Sequence, residues 1–125
     1  MELNDYQKAA TDTAIYPGRG TAIGMAYVAL KMNGEAGEFA EHVGKAIRDD
    51  SFLTDPGKEG CFLSGEQLTN ERHALLVKEV GDVLWYLAAA CNELGIDMND
   101  AAKINLEKLR SRKERGALSG SGDNR

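Results

Sequence analysis

The sequence predicts an all-α protein, a four-helix bundle. Apolar residues recur at intervals of three and four along most of the chain, no segment alternates convincingly between apolar and polar, and turn signals divide the chain into four helical stretches. With 125 residues, 42% of them apolar, the chain is long enough for one domain with a real core, expected over residues 1–116.

The first helix is expected from residue 2 to about 15, with Leu3, Tyr6, Ala10 and Ile15 at helical spacing before Pro17-Gly18-Arg19-Gly20 breaks the pattern. The second is expected from about Thr21 to Arg48, carrying Ile23, Tyr27, Leu30, Phe39, Val43 and Ile47. Gly24, Gly34, Gly37 and Gly44 interrupt it at roughly 0.5 to 1 kcal/mol each, and their missing side chains are expected to let a backbone or a ligand come close. Residues 49–65, with Asp55-Pro56-Gly57, read as a long connection of the kind that usually serves a site. Ser64-Gly65-Glu66-Gln67 resembles a capping box, with Thr69 as a competing cap, for a third helix ending at about Leu94. Its buried stripe is expected to hold Leu76, Val80, Val83, Leu84, Leu87 and Cys91. Gly95 stops it, and Asp97 or Asn99 caps a fourth helix that runs to about Arg115 with Ile104, Leu106 and Leu109 turned inward. Residues 117–125 are expected to be a disordered tail.

Composition excludes several functions. There is no run of roughly 18 apolar residues and no charged-then-apolar amino terminus, so neither a membrane span nor a secretory signal is expected, and a cytoplasmic setting is. Cys61 and Cys91 lack metal-type spacing and read as free thiols. The net charge of -5 opposes binding to nucleic acid or anionic membrane, and a phosphate ligand would need cations between it and the protein.

The chemistry concentrates in two carboxylate pairs. Glu35 and Glu38 lie three residues apart on the second helix, and Glu79 and Asp82 three apart on the third. At ~100° per residue, each pair shares a face and spans one turn. Packing the two helices would bring four carboxylates into one partly buried space, where they repel one another unless divalent cations neutralise them. Single pairs of this kind are common on solvated faces. These two instead sit among small and apolar neighbours such as Ala36, Phe39, Val80 and Val83. Oxygen-only donors select Mg²⁺ or Mn²⁺ over zinc. A redox di-iron bundle is disfavoured, since neither His42 nor His73 stands three residues after a glutamate. His42 reads as an interface histidine or an outer-shell donor. Lys45, seven residues after Glu38, extends the first face toward a substrate, and Tyr86, four after Asp82, continues the second. Trp85 reads as turned away from the pair, into core or a subunit interface.

Glu35-x-x-Glu38 followed by Glu79-x-x-Asp82, in the settings "LKMNGEAGEFAEHVGKAIRDD" and "LVKEVGDVLWYLAAACNELG", resembles the ExxE…ExxD signature of the MazG-like all-α nucleoside triphosphate pyrophosphohydrolases. The likeness extends to "NLEKLRSRKERG" and covers most of residues 4–116. One departure is the 40 residues between Glu38 and Glu79, a longer separation than the family commonly uses. The resemblance implies hydrolysis of a nucleoside triphosphate to the monophosphate and pyrophosphate. Two or more Mg²⁺ or Mn²⁺ ions would be held by Glu35, Glu38, Glu79 and Asp82, with Glu35 or Glu38 taking the proton of the attacking water. By the same analogy Asn105 and Lys108 meet the substrate, followed along the fourth helix by Arg112 and Arg115, whose alternative is a solvated basic face. Relatives act in nucleotide house-cleaning and pool remodelling, including in phages, where the setting would be the host cytoplasm. Small residues around the second helix leave room for a purine, hence an expected preference for dGTP or GTP. Broad apolar faces, with Tyr27, Trp85 and Leu94 in excess of one small bundle, point to a homodimer or a dimer of dimers, as the resemblance does. The alternative is a non-catalytic helical interaction module with structural Mg²⁺, which predicts no turnover.

Overall fold

A computed structural model describes residues 1–50, 52 and 68–125 of the chain. Four helices follow in order: α1 (Leu3–Thr11), α2 (Ala22–Asp49), α3 (Asn70–Leu94) and α4 (Met98–Glu114). The described residues contain no strand, in keeping with the all-α expectation. No helix among them is long and apolar enough to cross a membrane.

α1 ends four residues earlier than its apolar spacing suggests. Past Thr11 the backbone tightens into bonds from Asp12, Thr13 and Ala14 to carbonyls three residues back. The Thr11 and Thr13 hydroxyls donate to the Gln7 and Ala10 carbonyls at 2.7 and 2.8 Å, a local alternative to continuing the helix. The start of α2 is pinned to the turn before it. Gly24 N–H donates to the Gly18 carbonyl at 3.0 Å, and a Cβ on Gly24 would stand only 2.4 Å from that same oxygen. At Gly34, Gly37 and Gly44 no backbone of the described residues comes close, since a Cβ on any of them would meet nothing within 4 Å there, and the space stays open to a ligand.

α3 begins one residue after Thr69, whose hydroxyl accepts the Arg72 N–H at 3.1 Å, the cap expected of it. The rival capping-box residues 64–67, most of the 49–65 connection and Cys61 lie outside the described residues. Gly95 closes α3 in the left-handed conformation, φ 68°, as its position suggested. α2 and α3 form the main helix pair, α1 packs on α3 and α4, and α4 meets α1 and α3 but not α2.

The core is small and lies along α3. One cluster gathers Ala10, Ala88 and Met98, another Tyr16, Val28 and Ala89, and Trp85 packs against both. Val28 is the largest fully buried side chain, at 1% exposure. Gln7, also buried, fastens three elements: its amide nitrogen donates to Asn92 Oδ1 at 2.8 Å and to the Ile96 carbonyl at 3.0 Å, and its oxygen accepts the Met98 N–H at 2.7 Å. Much of the expected apolar stripe stays at the surface, including Val80 and Leu87 on α3 and Phe39 on α2. Ile104, Leu106 and Leu109 are exposed, not turned inward, because α4 docks mainly through its first turn, at Met98 and at the Asn99 N–H on Asn4. Residues 117–125 run back along α4, where Arg112 donates to the Asp123 carbonyl at 2.9 Å and Arg115 to the Arg125 carbonyl at 2.8 Å.

Candidate metal centre

The pairing of α2 with α3 brings Glu35, Glu79 and Asp82 together, with one carboxylate oxygen from each lying within 4.8 Å of the others. Glu79 is 8% exposed, Glu35 half-buried and Asp82 exposed, so the group spans the edge of the helix interface. Glu38 is exposed and outside this group. Lys31 Nζ stands 3.7 Å from Glu35, a loose pair one turn away. Glu79 is poorly compensated. Its Oε1 faces His42 Nε2 at 3.4 Å, and its Oε2 is buried with no hydrogen-bond partner among the described residues. An orphaned buried carboxylate oxygen costs about 1–3 kcal/mol or more, a debt that a cation would cancel. With oxygen donors alone, the residues present fit a hard divalent ion.

Beside this group opens a cavity of about 350 Å³ lined by Glu35, Asp82, Trp85 and Tyr86. Tyr86 thus lies where its four-residue offset from Asp82 suggested. Trp85 packs on the core as expected but is not turned away from the acids: three residues after Asp82, it also lines the cavity, while its indole N–H donates to Thr13 Oγ1 at 2.8 Å. The ring centroids of Trp85 and Tyr86 are 4.9 Å apart, edge to face. Burial pushes the Tyr86 phenol up, and the neighbouring Tyr27 and the Glu35 anion add to this. Burial and the Asp82 anion do the same to Tyr6. A second cavity, about 330 Å³, is lined among the described residues by apolar side chains of α2 and α3, including Phe39, Val80 and Leu87.

The remaining sequence-derived residues are engaged elsewhere. Lys45 pairs with Glu41 at 3.1 Å. Lys108 and Arg112 pair with Asp123 of the carboxyl-terminal segment at 3.1 and 3.2 Å, and Asn105 is exposed on α4. Helical spacing gives the face on which each of these residues lies. It does not say which face meets which helix, and α4 does not touch α2 in the chain.

Residues 26–116 match the model of the MazG nucleotide pyrophosphohydrolase domain. The chain is also 43% identical over 128 residues to the "Gene 37 protein" of Mycobacterium phage L5, covering 100% of both. No solved structure gave a significant match. A family match across most of the chain, joined to the all-α fold and to three converging acids from its two signature pairs, shows that the chain belongs to the MazG nucleotide pyrophosphohydrolase family.

Proposed function

We propose that the chain hydrolyses a nucleoside triphosphate between the α and β phosphates, releasing a nucleoside monophosphate and pyrophosphate, in control of the nucleotide pool. The observation that carries this reading is the convergence of Glu35, Glu79 and Asp82, in which Glu79 also keeps one buried oxygen without a partner among the described residues. These three, with Glu38, would hold two or more Mg²⁺ or Mn²⁺ ions, which when bound offset the triphosphate charge and lower the pKa of a water. Glu35 or Glu38 accepts the proton of that water. Tyr86 and Trp85 offer aromatic surface to the base in the adjoining cavity. Lys45, Asn105, Lys108 and Arg112 are proposed phosphate contacts, and Lys108 and Arg112 reach that role only on release from Asp123. We also propose a homodimer or dimer of dimers in which a second copy covers the apolar α2–α3 face.

The test is pyrophosphate release from the canonical NTPs and dNTPs with Mg²⁺ or Mn²⁺. Metal-dependent release is expected, fastest with dGTP or GTP, and Glu79→Gln or Glu38→Ala should lower it by about 10²-fold or more. Faster turnover of pyrimidine substrates would overturn the base preference alone. Metal-independent release, or none from any nucleotide, would overturn the activity.

A further inference from the structure

The carboxyl end of α2 and the amino end of α3 are joined by a line of polar side chains that the proposed hydrolysis does not by itself require. Arg72 Nε donates to Asp50 Oδ2 at 2.9 Å, Arg72 Nη1 lies 3.2 Å from His42 Nδ1, and His42 Nε2 faces Glu79 Oε1 at 3.4 Å. All four side chains are four-fifths or more buried. A guanidinium only donates, so His42 Nδ1 is the acceptor of its contact with Arg72. The ring hydrogen is thereby left on Nε2, the nitrogen that stands 3.4 Å from Glu79 Oε1. Asp50 fixes the guanidinium from the other side, and Arg72 is itself held at the first turn of α3, where its backbone N–H meets the Thr69 cap.

From this geometry we infer that Asp50, Arg72 and His42 are positioning residues for Glu79. They hold one carboxylate oxygen toward the imidazole, so that Oε2, buried and without a partner among the described residues, is presented to a cation. A glutamate side chain has several rotatable bonds, and restraining it beforehand removes ordering entropy from cation binding. The spacing supports a shared line: His42 follows Glu35 by seven residues on α2, and Glu79 follows Arg72 by seven on α3, two helical turns in each case. The inference rests on the reading of Glu35, Glu79 and Asp82 as a cation site.

Mn²⁺ binding to the full chain, measured by calorimetry without nucleotide, tests it apart from activity. Wild type should bind Mn²⁺ and Glu79→Gln should not. His42→Phe, which keeps a ring but donates nothing, should weaken binding about 10- to 100-fold, and Arg72→Ala should act in the same direction. His42→Gln, whose amide can donate to Oε1, should recover much of the loss. Binding by Glu79→Gln equal to wild type would overturn the cation reading itself. If Glu79→Gln loses binding while His42→Phe keeps wild-type affinity, the positioning role alone is overturned. Equal weakening in His42→Phe and His42→Gln also overturns it, since a merely structural histidine would not distinguish a donor from a non-donor. Should His42→Phe fail to fold, Arg72→Ala and His42→Gln decide: wild-type affinity in Arg72→Ala overturns the role, and weakening in it with affinity retained in His42→Gln supports it.

Discussion

Single buried polar groups carry much of the specificity of this small core. Gln7 satisfies the Met98 N–H, Asn92 and the Ile96 carbonyl at once, so Gln7→Leu strands partners on α3, on the turn after it and on α4. A loss of about 2–3 kcal/mol, read from the urea midpoint, is expected. Tyr16 gives a pH-dependent counterpart. Burial, and then its hydrogen bond to Glu93, push its phenol up from 10.0 to about 12. The folded chain therefore favours the protonated phenol: that stabilisation is whole below pH 10.0 and disappears as the pH rises toward about 12. Thermal melting of Tyr16→Phe should fall less steeply across this alkaline window than melting of the wild type. Glu93 behaves oppositely, since the Tyr16 hydroxyl and the Gly20 N–H hold its carboxyl below its ordinary value. Its contribution is present above the usual carboxylate range and is lost as the pH falls through the depressed value.

At the scale of elements, the ends of helices decide where the functional faces point. The Gly18 carbonyl leaves no room for a Cβ at Gly24, so Gly24→Ala must displace the turn that launches α2. Overpacking of this kind typically costs about 1–3 kcal/mol, measurable by denaturant titration. α4 illustrates a face whose partner is a local segment. Lys108 and Arg112 are held by Asp123, whose carboxyl those cations keep below its ordinary value. If these bases meet phosphate, deleting residues 117–125 should lower KM for the triphosphate severalfold with kcat little changed. An unchanged KM would remove Lys108 and Arg112 from the substrate site.

For the whole molecule, the notable feature is how much apolar surface the single chain leaves uncovered. Leu30, Phe39, Val80 and Leu87 are exposed on the α2–α3 pair, beside a cavity whose described lining is apolar. Light scattering at micromolar concentration should show a dimer or tetramer, and Val80→Glu with Leu87→Glu should shift it toward monomer. A wild-type monomer would remove the oligomer from the reading.

The sequence by itself determined the helical class, the Gly95 stop of α3 and the two acidic pairs, and it left Thr69 and the box at residues 64–67 as rival starts of α3. These follow from local rules: capping, left-handed glycine and the ~100° turn of the helix act within a few residues. The meeting of Glu35, Glu79 and Asp82 was legible because each pair borders the face on which its helix packs, but the same argument placed Glu38 with them, and Glu38 is exposed and outside the group. The early end of α1 was not, because threonine hydroxyls bonding back to the backbone outweigh apolar spacing there. Nor were the place of Trp85, the exposure of Leu106 and the occupation of Lys108 and Arg112 by Asp123. Only the tertiary structure decided these, and with them the line from Asp50 through Arg72 and His42 to Glu79. Each depends on which side chain of a distant segment arrives opposite, and periodicity fixes a residue's face without fixing what that face meets.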